Sequence, residues 1–110
     1  MAANFIRAFN GEELSADEIL RYSRLRVIVV TKPRSGPAVE HAVIRLPRAV
    51  SFTHRGDLTV VMGPGAFGFT VIPEAPETIG ELGRAEFSAA RGVRLVPLIS
   101  DSDEGSWGVV

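Results

Sequence analysis

The chain has 110 residues, 45% of them apolar, no cysteine and a formal net charge of −1. This length fits one domain with one core and no covalent staple. The missing cysteines exclude disulfides and thiolate metal sites, and the longest unbroken apolar stretch, residues 27–30, is far below the roughly 20 residues of a membrane span.

The small net charge hides a sorted distribution. Between residues 21 and 55 stand Arg21, Arg24, Arg26, Lys32, Arg34, Arg45, Arg48 and Arg55, opposed only by Glu40, a local charge of +7. Residues 1–20 carry −3 and residues 56–110 carry −5. Such polarisation steers partners and sets orientation, and says little about fold.

In chain order, residues 4–9 fit a short strand, with Phe5, Arg7 and Phe9 alternating, or a frayed helix. Asn10-Gly11 is a turn signal. Ser15 and Glu18 have capping-box spacing, and Leu14 and Ile19 have that of a hydrophobic staple. The spacing predicts a helix over residues 16–23 that buries Ile19, Leu20 and one side of Tyr22. Residues 25–31 form a β-branched run that reads as a central strand buried on both faces.

Residues 32–37 read as a loop. Residues 39–46 alternate like a strand with one wetter face, and Pro47 ends it. Residues 49–53 and 58–62 read as strands flanking a hairpin turn over residues 54–57, with Gly56 at positive φ. Residues 63–68 are a further turn and residues 69–72 a strand.

After the connector 73–77, Thr78 and Glu81 have capping-box spacing and predict a helix over residues 79–91 closed by Gly92. Gly80 and Gly83 weaken it by about 1 kcal/mol each. The competing reading is a hairpin, because Ala85, Phe87 and Ala89 alternate and Arg91-Gly92 can turn into residues 93–99. Residues 93–99 read as a strand, with Pro97 placing it at a sheet edge. The expected fold is α+β: a mainly antiparallel sheet of five to seven short strands with two short helices, in a single domain over residues 1–100. Residues 101–110 form an acidic C-terminal tail.

No catalytic signature survives inspection. Residues 63–68 match Gly-x-Gly-x-x-Gly, but strand-like residues ending in Pro73 follow where a dinucleotide site needs a helix. Arg55-Gly56-Asp57 matches an adhesion tripeptide and reads as a turn. His41 and His54 are too few for a metal site without an unusual carboxylate set. The pairs Glu12-Glu13 and Asp103-Glu104 are sequence neighbours whose side chains diverge, so neither makes an acid–base dyad. No catalytic residue, cofactor site or metal site is assigned, and the chain is not expected to be an enzyme.

The basic block remains. Its partner-binding candidates are Arg24, Arg26, Lys32, Arg34, Arg45, Arg48 and Arg55, joined by Trp107, the tail's apolar anchor. The apolar excess of so small a chain points to a subunit interface. The leading expectation is a non-enzymatic, self-associating binding or assembly module, such as a structural subunit of a virion or another repetitive assembly. In it the basic block meets acidic surface on another copy or on another protein subunit, and the tail docks in trans. The alternative is a protein that binds the nucleic-acid backbone through residues 21–55; a small enzyme with an unrecognised site comes third. Residues 1–10 lack the apolar run of a secretory signal, so the expected location is cytoplasmic, or within an intracellular or virion assembly, without membrane association.

Overall fold

The computed structural model describes residues 4–36, 40–52, 56–88, 92–99 and 105–110. The described residues form nine strands, one α-helix and one 3₁₀ turn. The strands are β1 (Phe5–Phe9), β2 (Glu13–Leu14), β3 (Val27–Thr31), β4 (Ala42–Arg45), β5 (Leu58–Met62), β6 (Phe69–Ile72), β7 (Ala85–Phe87), β8 (Gly92–Ile99) and β9 (Gly105–Val109). The helix α1 is Ala16–Arg21 and the 3₁₀ turn is Ala49–Ser51.

The strands build two mixed sheets, one of five strands in the order β1-β3-β5-β8-β9 and one of four in the order β2-β4-β6-β7. From β1 to β6 the chain places alternate strands in alternate sheets. Each strand therefore returns beside its predecessor in the same direction: β1, β3 and β5 are parallel, as are β2, β4 and β6. Only β7, β8 and β9 add antiparallel pairs. The mainly antiparallel, two-helix expectation is thus overturned. Turns at Asn10-Gly11 and residues 63–68 stand where expected, but they carry the chain from one sheet to the other instead of folding a hairpin.

One core lies between the sheets. Ala8, Ile28, Val30, Leu58, Val60, Val93, Leu95 and Trp107 supply it from the five-stranded sheet. Leu14, Ala42, Ile44, Phe69 and Val71 supply it from the four-stranded one. The period-2 alternation in β4 holds, with Ala42 and Ile44 buried and Arg45 exposed. β3 is central but not buried on both faces: Ile28 and Val30 are inaccessible, whereas Val27, Val29 and Thr31 are half-buried.

The first helix forms as its caps dictate. The Glu18 N–H donates to Ser15 Oγ at 3.2 Å, Ile19 is fully buried, and Leu20 and Tyr22 pack against the core. Among the described residues α1 is the only α-helix, and none is long and apolar enough to cross a membrane.

The second predicted helix is absent over the described part of residues 79–91. Ile79 and Leu82 close a tight bridge, and β7 then pairs with β6, with Phe87 stacked on Phe69 at 4.9 Å. The strand of the competing reading is present, but its partner is β6 and not β8, which lies in the other sheet. Residues 49–51 form a 3₁₀ turn where a strand was expected, so β5 does not pair with it as a hairpin, and residues 54 and 55 of the expected turn lie outside the described residues. Gly56 does take positive φ, at 85°.

Pro97 is not at a sheet edge, because β8 lies between β5 and β9. Arg94 and Val110 exchange both backbone hydrogen bonds, so Arg94, Val96 and Leu98 face β9 and the nitrogen of Pro97 points the other way. β5 pairs only as far as Leu95, so no ladder bond is lost there.

The C-terminal residues are not an appendage. β9 pairs along β8 from Gly105 to Val109, and Trp107 is wholly inaccessible. The Glu77 carboxylate, itself buried, accepts the Ala49 N–H at 2.9 Å. It also fills the space beside Gly105, where a Cβ would overlap it. Residues 101–104, which carry the acidic charges, lie outside the described residues.

Candidate interaction surface

The outward face of the five-stranded sheet is assembled by register. Phe5, Val27, Thr59 and Arg94 lie abreast in one row, and Arg7, Val29, Val61 and Gly92 in the next. Their chain neighbours Ile28, Val60 and Val93 point into the core, so these rows point out. Phe5 is 46% exposed and Val27, Val29 and Val61 are half-buried, a partly exposed apolar strip. At the start of β1 and β3 the strip deepens into a groove of about 730 Å³ lined by Asn4, Phe5, Ser23, Arg24, Arg26, Val27 and Val29.

The electrostatics of the groove differ from those of the remaining basic block. Arg34 lies 3.4 Å from Glu12 and stacks over Phe9 with its guanidinium 4.2 Å from the ring centre. Arg45 pairs with Glu13, and Arg48 lies 4.0 Å from Glu77. Outside the block, Arg94 pairs with Asp57 at 3.3 Å. The pairs to Glu12, Glu13 and Asp57 are exposed and of small individual worth, whereas the Glu77 carboxylate is buried. Their collective effect is to neutralise Arg34, Arg45 and Arg48 with carboxylates of the same chain. Arg24 and Arg26 have no carboxylate within ion-pair distance among the described residues. Arg7 makes a cation–π contact with Phe5, 5.6 Å from the ring centre.

The sequence candidates therefore separate. Arg24 and Arg26 come together on the groove. Lys32 stands at the other end of β3, in a hollow of about 390 Å³ shared with Asn10, Gly65 and Phe67. Arg34, Arg45 and Arg48 are held in pairs, and Arg55 lies outside the described residues. Trp107 is enclosed by its own chain: its Nε1–H donates to the Pro47 carbonyl at 3.2 Å, and its ring lies 5.6 Å from Phe52. It has no surface to offer a partner.

The sequence reading missed Phe5, Arg7, Val27 and Val29. The alternation in β1 carried the signal for the first two. In the unbroken apolar run of β3, no polar residue marks which side faces out.

The other motifs have structural employment. His41 Nδ1 lies 3.2 Å from the Thr70 hydroxyl, and the ring meets Phe67 edge-on. The buried Asn10 side chain donates to the Gly65 carbonyl and accepts the Phe67 N–H, fastening the glycine-rich corner. Among the described residues no three His, Asp or Glu side chains gather to hold a metal ion. Comparison of the chain with protein-family models, curated proteins and solved structures finds no match in any of the three.

Proposed function

We propose that this chain is a non-enzymatic, self-associating assembly module whose contact surface is the outward face of the five-stranded sheet around β1 and β3. The observation that carries this reading is the partly exposed apolar strip of Phe5, Val27, Val29 and Val61 beside Arg24 and Arg26, which have no ion-pair partner among the described residues. Apolar side chains gain by leaving water, and two cations on the rim select a partner surface that carries carboxylates. Of the basic block, Arg24 and Arg26 line this groove, whereas Arg34, Arg45 and Arg48 already have carboxylate partners. A repetitive structural assembly suits such a module, and the absence of cysteine suits a reducing, intracellular setting.

Light scattering at low and high salt, with and without nucleic acid, tests the reading. The expected result is a mass of at least twice the 11.8 kDa of the chain at tens of micromolar, unchanged by nucleic acid. An 11.8 kDa species at every concentration contradicts self-association. A complex formed only with nucleic acid at low salt favours a phosphate-backbone binder instead.

A further inference from the structure

An uncovered sheet edge offers a row of unpaired N–H and C=O groups to another strand. The edge strands here are β2 and β7 in one sheet and β1 and β9 in the other. β2 has two residues and β7 three, too few to template a partner. The free side of β9 is covered: the Trp107 N–H donates to the Thr78 carbonyl at 2.8 Å, and the Gly80 N–H donates to the Trp107 carbonyl at 2.7 Å.

β1 is different. The Asn4 carbonyl accepts the Val27 N–H, and the Asn10 N–H donates to the Thr31 carbonyl. The even-numbered residues of β1 thus turn their backbone groups toward β3, and Phe5, Arg7 and Phe9 turn theirs away. Of these, the Phe9 carbonyl accepts the Glu12 N–H at 3.0 Å. The N–H and C=O groups of Phe5 and Arg7 have no backbone partner among the described residues. The strand carries no proline, lysine or bulge to discourage pairing, and it presents an exposed phenylalanine.

We infer that β1 pairs antiparallel with β1 of a second copy, joining two five-stranded sheets edge to edge in a two-fold dimer. This rests on the self-association reading and adds to the outward-face contact a second one, at the edge of the same sheet. The strand is self-complementary in one register. Centred on Ile6, Phe5 lies opposite the second copy's Arg7 and Arg7 opposite its Phe5, so four hydrogen bonds form between the outward-turned groups. The cation–π contact that Arg7 makes with Phe5 within one chain is then available across the pair. Centring on Arg7 would set the two arginines face to face and would need the Phe9 carbonyl that Glu12 already occupies.

Two variants and a cross-link test this by sedimentation equilibrium. Arg7→Pro deletes an outward N–H that the ladder to β3 does not use, so the fold should hold while the dimer dissociation constant rises at least tenfold. Phe5→Lys places a charge on the edge and should do the same; it decides the matter if Arg7→Pro fails to fold. Because the chain has no cysteine, Ile6→Cys should give a disulfide dimer on oxidation and Arg7→Cys should not. A dimer of undiminished affinity in both folded edge variants overturns the inference and leaves self-association standing, with the second copy on the outward face. A monomeric parent chain removes both. Protection of the β1 amides that appears only when a different protein is added overturns the edge dimer alone, because that assigns the edge to a foreign strand.

Discussion

Trp107 donates its indole N–H to the carbonyl of Pro47, sixty residues earlier, and neither group reaches solvent. The bond ties the last strand to the segment that leaves β4 and gives the residues after 104 a place in the core. Truncating Trp107 to alanine should cost about 3–5 kcal/mol, the usual range for a buried tryptophan. Removing residues 105–110 should unfold the protein rather than only dissociate it. Tryptophan emission should be blue-shifted at every dilution and independent of assembly. A water-like spectrum in the folded state would show that the indole is not enclosed.

Glu77 and Gly105 should behave as a coupled pair. Glu77→Ala leaves the buried Ala49 N–H without its acceptor, a loss of about 1–3 kcal/mol. Gly105→Ala should destabilise the parent chain because its methyl group meets the Glu77 carboxylate. In the Glu77→Ala background the same change should cost less. Urea titration of the four proteins checks this; additive losses would mean that the two residues act independently.

The basic block should divide functionally as it divides spatially. Reversing Arg24 and Arg26 to glutamate should weaken association and leave the melting temperature nearly unchanged. Reversing Arg34 and Arg45 should lower stability by up to about 1 kcal/mol per pair, through Glu12 and Glu13, and leave the oligomer largely intact. The opposite partition, read by light scattering and thermal melts, would move the contact to the other end of β3.

The two sides of β3 should respond differently to a hydroxyl. Val29→Thr lies on the outward strip and should alter stability by less than about 1 kcal/mol while weakening association. Val30→Thr buries the hydroxyl in the core and should cost about 1–3 kcal/mol. Equal effects on melting would show that the outward face is packed within the monomer.

Local signals in the sequence were legible where local physics decides the outcome. Ser15 caps α1, Gly56 takes positive φ, and β3, β4, β5, β6 and β8 fall on their apolar patterns. The path between strands was not legible. A glycine turn reverses the chain equally well within a sheet or between two sheets, so Asn10-Gly11 and residues 63–68 suit a hairpin and a corner alike. Thr78 and Glu81 have the spacing of a capping box, yet Gly80 adopts positive φ and the segment closes a bridge beside Trp107. The tail's acidic composition obscured the alternation that carries Trp107 inward. The charge sorting was real, but the fold lays Glu12 and Glu13 against Arg34 and Arg45 and satisfies in one chain what the sequence offered to two.

Amide hydrogen exchange of β1 as a function of protein concentration tests the central claim most directly. The Ile6 and Ala8 amides face β3 and should be protected at all concentrations. The Phe5 and Arg7 amides face away and should exchange rapidly in dilute protein, gaining at least tenfold protection as the concentration rises through the association range. Rapid exchange of the Arg7 amide at every concentration would contradict pairing through this edge.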